Sequence, residues 1–224
     1  MGKDLKFEQE RPLSEAEKKR ADAFALTEKG LKEQGYERKD LTISINKANS
    51  VGPLLTLPFV GILVLVFTLI NGTQPWKDLI SDQSVKFSIL LIVAGLSVFV
   101  LAIVHEGIHG LSWGLGAENG MKDIEYGFIK EKITPYCYCR SPLTKGRYIF
   151  GSMMPMTILG LGFCIPGIIF GSVILMIIGM LQVLGGSGDI LITAMLLLHK
   201  TKGKETVLLD HPTECGLVVF EKKK

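Results

Sequence analysis

The sequence predicts an all-α polytopic membrane protein with four to five transmembrane helices and small cytoplasmic β-hairpins. Three observations carry that expectation. Of the 224 residues, 47% are hydrophobic, and mean hydropathy is +0.34, too apolar for an ordinary soluble domain. Long stretches carry no charge: residues 53–70, 87–104 and 148–188. Finally, the polar segments between them differ in basic content, as the loops on opposite sides of a membrane do. Net charge is only +3 with no block of like charges, so nucleic acid is not an expected partner.

The first fifty residues are polar, and no secretory signal peptide is expected there. Ser14 and Glu17 have the spacing of a capping box, and a helix should run from there to about Lys32. Its apolar stripe is thin: Ala21, Phe24, Ala25 and Leu31. Gly35 is a plausible stop, and the alternation over 41–45 suggests a short strand. Residues 1–50 therefore read as a cytoplasmic helical segment without chemistry of its own.

Residues 53–70 form the first expected span, with Pro53 and Pro58 in its opening turns. The linker 71–86 is polar, and Pro75-Trp76 suits an interfacial anchor. Residues 87–104 form the second span, and its helix should continue to about Trp113. The loop 114–147 holds Lys122, Lys130, Lys132, Arg140, Lys145 and Arg147, against two lysines in the linker. The positive-inside rule places this loop, the N-terminus and the adjoining end of the second span in the cytoplasm. Within the loop, 124–128 and 133–138 can pair as a hairpin across 129–132. An exposed edge there can hold an extended substrate by β-augmentation, although a plain structural hairpin is the simpler reading.

Residues 148–188 are 41 uncharged residues, enough for two spans. Pro166-Gly167 marks the expected break, and Pro155 should kink the third span. The segment 190–198 is too short to cross alone; it either extends the preceding glycine-rich run or enters part-way and returns. The lysine-rich tail favours a cytoplasmic end, which a crossing helix would contradict. Residues 206–209 and 217–220 flank a turn and suggest a hairpin. This divides the chain into the N-terminal segment 1–50, a membrane-embedded domain 51–200 and a tail 201–224.

The chemistry concentrates at the end of the second span, in Val104-His105-Glu106-Gly107-Ile108-His109-Gly110. On a helix His105 and His109 lie one turn apart and reach one Zn²⁺ from the same face. Glu106 lies beside that face, where a carboxylate can take a proton from water activated by the metal and pass it to a leaving amine. Only four histidines occur in the chain, and two are here. Asp189 is the only acidic residue between Arg147 and Glu205. The expected topology returns it to the side of the two histidines, as a third ligand with one position left for water. An N-cap role is the structural alternative for Asp189. His199 ranks well behind it as a ligand, and His211 reads as a turn residue. Cys137, Cys139, Cys164 and Cys215 make no disulfide framework and read as reduced thiols.

With these residues placed, the chain resembles a family of bacterial membrane proteins described as putative zincin peptidases. The likeness rests on His105-Glu106-x-x-His109-Gly110 at the end of a span, Thr134-Pro135-Tyr136, Pro155, Gly188-Asp189 and Asp210-His211-Pro212, in that order. It covers about residues 50–220. The order is also similar to the site-2 protease class, whose aspartate commonly stands in a Leu-Asp-Gly setting; here the setting is Gly188-Asp189-Ile190. The resemblance implies a zinc-dependent intramembrane or juxtamembrane peptidase in a multi-pass bacterial membrane protein, and it does not supply a substrate. A membrane-embedded protein or peptide is the expected partner, and the basic loop sets the site near the cytoplasmic face. A non-catalytic adaptor with a zinc site, a metal transporter or sensor, and hydrolysis of a lipid or small amide remain alternatives. Oligomeric state has no signature in the sequence.

Overall fold

The computed structural model describes residues 15–81, 85–129 and 134–223. Helix α1 (Glu15–Glu33) is followed by strand β1 (Glu37–Thr42). Residue 14, the expected capping serine, lies outside the described residues, as do residues 130–133 of the expected hairpin turn. The first strand falls earlier than the expected 41–45. Ser44 is the reason: its hydroxyl accepts from the Lys47 backbone N–H and starts helix α2 (Ile45–Asn71).

Three helices among the described residues are long and apolar enough to cross a membrane: Lys47–Asn71, Phe87–Gly114 and Lys145–Phe170. A fourth crossing exists only if Val173–Gly185 and Ser187–Leu198, bent by 48° relative to one another, count as one span. The expectation of four to five is thus reduced to three, or four with the bent pair. Large apolar side chains such as Leu69, Leu96 and Phe170 point outward along these helices. The linker is itself partly helical, α3 (Gln74–Ser81). Its Trp76 packs edge-on against Phe67, and its indole N–H donates to Thr68 Oγ1 over 3.1 Å. Trp76 is therefore tied to the end of α2.

Helix α4 (Val85–Gly114) carries the second apolar run and the histidine motif without interruption. The third span is continuous from Lys145 to Phe170: α5 (Lys145–Pro155), a π-helical stretch (Met156–Leu161) and α6 (Gly162–Phe170). The expected break at Pro166-Gly167 does not occur. Gly167 instead lets α7 (Val173–Gly185) approach closely, since a Cβ there would lie 2.9 Å from the Met176 backbone nitrogen. The chain turns at Gly171, whose φ of +64° is a left-handed conformation that glycine adopts without penalty. Pro155, which closes α5, does mark an irregularity, because the wide π turn follows it directly.

The polar segments converge on one antiparallel sheet ordered β1-β6-β5-β4, from β1, β4 (Leu143–Thr144), β5 (Lys204–Asp210) and β6 (Gly216–Lys223). The N-terminal segment, the central loop and the tail each contribute strands. Alternation sets the two faces of β6. Leu217 and Val219 pack with Trp113, Tyr148 and Leu196 from the helix ends; Val218 and Phe220 pack with Phe24 and Leu31 of α1. The thin stripe of α1 thus covers the outer face of the sheet. A separate two-stranded ribbon, β2 (Ile124–Ile129) with β3 (Thr134–Cys139), lies against α4. It corresponds to the hairpin expected from the sequence.

Candidate metal centre

Helix α4 continues to Gly114, nearly three turns past its apolar run, and so carries His105 and His109, both buried, in its sheet end. The 48° bend at Gly186 aims the first turn of α8 (Ser187–Leu198) at them. Gly52 of α2 holds that turn closely, since a Cβ there would lie 3.1 Å from the Ser187 carbonyl oxygen. Asp189, in the first turn of α8, makes no capping bond; Gly186 occupies the cap position. Its carboxylate turns to the histidines instead. His105 Nε2 lies 3.1 Å from Asp189 Oδ2 and 3.1 Å from His109 Nε2, and His109 Nε2 lies 3.2 Å from Asp189 Oδ1.

These spacings provide a test of fit. Tetrahedral Zn²⁺ with bonds of about 2.0–2.1 Å needs donor atoms about 3.3 Å apart. The two nitrogens and the carboxylate meet that requirement within a few tenths of an ångström. Among the described residues, His105, His109 and Asp189 are the one group of His, Cys, Asp and Glu side chains arranged to hold a metal ion.

The surroundings orient His109. Its Nδ1 donates to the Gly151 carbonyl over 2.9 Å, which leaves Nε2 with its lone pair toward the triad. The Trp113 ring stacks on the imidazole, with centroids 4.8 Å apart and planes 12° from parallel. Trp113 Nε1 donates to the Tyr148 carbonyl over 3.1 Å. Gly151 makes room for this arrangement, since a Cβ there would collide with the indole. Tyr148 in turn donates its phenolic hydrogen to Asp210 Oδ1 over 2.5 Å.

Strand β3 holds two carboxylates. Its backbone at Cys137 contributes a hydrogen bond to Glu106, and the Cys139 N–H donates to Asp210 Oδ2 over 3.3 Å. Residues 135, 137 and 139 present their backbone groups to the edge away from β2. Position 135 is a proline and has no N–H. The outward donors of β3 are therefore engaged or missing, and the edge offers an incoming strand only its carbonyls. Burial pushes the Asp210 carboxyl above its ordinary value, against the lowering effect of the Tyr148 and Cys139 hydrogen bonds. Burial likewise raises the Cys139 thiol to about 12 and the Cys137 thiol further, so neither is a thiolate ready to bind metal at neutral pH.

A cavity of about 460 Å³ opens onto the triad and Glu106. Its walls come from α1, α4, β3, α5, α8 and the β5–β6 turn, with Arg20, Tyr136, Tyr148 and Asp210 among the lining residues. His199, at the far end of α8, bonds Glu221 Oε1 over 2.7 Å and stands apart from the triad. His211 is a turn residue whose Nδ1 accepts from the Glu214 N–H over 2.8 Å. None of the four cysteines forms a disulfide. The sequence reading did not single out Trp113, Tyr148, Asp210 or Arg20 for the site. Asp210 carried one signal, as the acidic residue opening Asp210-His211-Pro212. Arg20 carried none, being one cation of many on a polar helix.

Comparisons with curated proteins and with solved structures find no match to the chain. Residues 98–204, which carry the histidine motif, the β2–β3 ribbon and Asp189, match the model of a family described as putative zincin peptidase.

Proposed function

We propose that the protein is a zinc-dependent peptidase that hydrolyses a peptide bond in or beside the membrane. The observation that carries this reading is the His105–His109–Asp189 triangle with Glu106 in the same cavity, inside the stretch that matches the zincin family. Three protein ligands are the complement of a catalytic zinc site, whereas structural sites use four. When bound, Zn²⁺ supplies polarisation of a scissile carbonyl and acidification of water.

The chain's own residues do the rest. Glu106, held by the β3 backbone, accepts a proton from the attacking water and returns it to the leaving amine. His109 is kept in the ligating tautomer by Gly151 and in the ligating orientation by Trp113. The triad lies at the sheet end of α4, away from the middle of the apolar run, which supports cleavage near a membrane face. The basic loop 114–147 supports the cytoplasmic face of a bacterial cell membrane.

The test uses purified full-length protein in detergent, zinc-loaded, against a proteome-derived peptide library. Glu106→Gln should keep one zinc per chain and lose at least about a hundredfold in turnover, the scale of general acid–base catalysis. Equal turnover by wild type and variant would overturn the mechanism. Zinc bound at full stoichiometry with no cleavage by wild type would favour the non-catalytic adaptor.

A further inference from the structure

The buried stripe of α1 does not stop at the sheet. Leu31 and Phe24 pack on Phe220 and Val218, and the same stripe continues through Arg20 and Glu17 into the wall of the cavity. The helical spacing of 17, 20, 24 and 31 puts all four on one side of the helix. Arg20 is the only lysine or arginine lining the cavity among the described residues. Its guanidinium lies over the Tyr136 ring, 4.4 Å from the centroid, and 5.8 Å from that of Tyr138.

Three carboxylates of the cavity are committed elsewhere. Asp189 faces the two histidines, Glu106 is bonded by the Cys137 backbone, and Asp210 takes hydrogens from Tyr148 and Cys139. Among the described residues no ion pair joins Arg20 to a carboxylate. Ring faces steady a guanidinium by cation–π attraction without using up its five N–H donors. A planar cation so held is suited to a bidentate carboxylate.

We infer that Arg20, held over Tyr136 and Tyr138, is a specificity residue that binds a substrate carboxylate, either an acidic side chain or the free C-terminus of the peptide. The inference rests on the peptidase reading. It gives α1, which lies outside the stretch matching the family, a direct part in substrate choice.

The experiment compares wild type, Arg20→Gln, Arg20→Lys and Arg20→Glu, each zinc-loaded and full-length, on a proteome-derived peptide library with products sequenced by mass spectrometry. A parallel library is amidated at its C-termini. Wild type should favour Asp or Glu at one fixed distance from the cut; if amidation removes the preference, the recognised group is the terminal carboxylate. Arg20→Gln should lower kcat/KM on carboxylate-bearing peptides about tenfold to a hundredfold, as for loss of a charged hydrogen bond, and leave neutral peptides unchanged. Arg20→Lys should fall between, because a point charge replaces the fork. Arg20→Glu should turn the preference toward Lys or Arg, a gain that misfolding cannot imitate. Cleavage with the same preferences in all four proteins overturns this inference alone. No cleavage by zinc-loaded wild type overturns the peptidase reading and this inference with it.

Discussion

Tyr148 and Asp210 meet over 2.5 Å, and through this bond the last residue of β5 reaches the candidate metal centre. Tyr148 stands at the start of the third span and Asp210 at the end of a strand in the tail. Behind Tyr148 follow Trp113, whose indole bonds its carbonyl, and His109, on which Trp113 stacks. The pair is therefore an outer support for His109, a proposed metal ligand. Outer partners of ligating histidines typically change metal affinity 10–100-fold. Asp210→Ala and Tyr148→Phe should each weaken zinc binding by about tenfold in chelator competition. The double variant should cost little more than either single one, because both break one link. Fully additive losses, or unchanged affinity in folded variants, would contradict the linkage.

The triad makes a sharp distinction between two residues of α8. Asp189→Ala should weaken zinc by more than about a hundredfold, beyond the range of outer partners. His199→Ala should leave zinc affinity unchanged, since His199 is engaged with Glu221 at the opposite end of the helix. Metal analysis after dialysis checks both. Full zinc occupancy in Asp189→Ala would remove the third ligand.

Two glycines of the histidine motif differ in what surrounds them. A Cβ at Gly110 would run into Tyr126 and lie 2.7 Å from Ile124 Cγ2, whereas at Gly107 nothing lies within 4 Å. Gly110→Ala should therefore push the β2–β3 ribbon away and cost about 1–3 kcal/mol, the usual penalty for overpacking. Gly107→Ala should gain up to about 1 kcal/mol from helix propensity. Thermal unfolding in detergent should shift in opposite directions for the two.

Glu221, buried on β6, sets an acid limit for the sheet. Burial by itself pushes its carboxyl up, but hydrogen bonds from Lys204, Lys39 and His199 outweigh it and hold the group at about 2, below its ordinary 4.5. A depressed folded-state value means that the stabilisation is complete above about pH 4.5. It is lost as pH falls from there toward 2. The unfolding midpoint of wild type should fall across that window, and Glu221→Gln should flatten the dependence. An identical pH profile for both would exclude Glu221 as the source.

Much of the architecture was legible in the residues. The apolar runs at 53–70 and 87–104 mark α2 and α4, because a long uncharged stretch has few folded outcomes other than an apolar helix. The ribbon β2–β3 falls where 124–128 and 133–138 were expected to pair as a hairpin. Less local features misled. Pro166-Gly167 has the chemistry of a turn, yet within a packed apolar helix Gly167 serves close approach to Met176, and the turn moves to Gly171. Residues 41–45 alternate as a strand would, but Ser44 caps a helix.

For the candidate site, the sequence by itself determined which residues are candidates: His105 and His109 one helical turn apart, Glu106 beside them, and Asp189 as the lone carboxylate of its region. That information is local, written in spacing and residue type. The tertiary structure decided the rest. It brought Asp189 to within 3.1–3.2 Å of both histidines, stacked Trp113 on His109, tied Tyr148 to Asp210, and laid Arg20 over Tyr136 in the cavity wall. Those partners are separated along the chain by up to more than a hundred residues, except for Trp113 and His109. A contact of that kind depends on which strand pairs with β6 and where the chain bends between α7 and α8, and neither choice leaves a periodic or compositional trace in the residues it brings together.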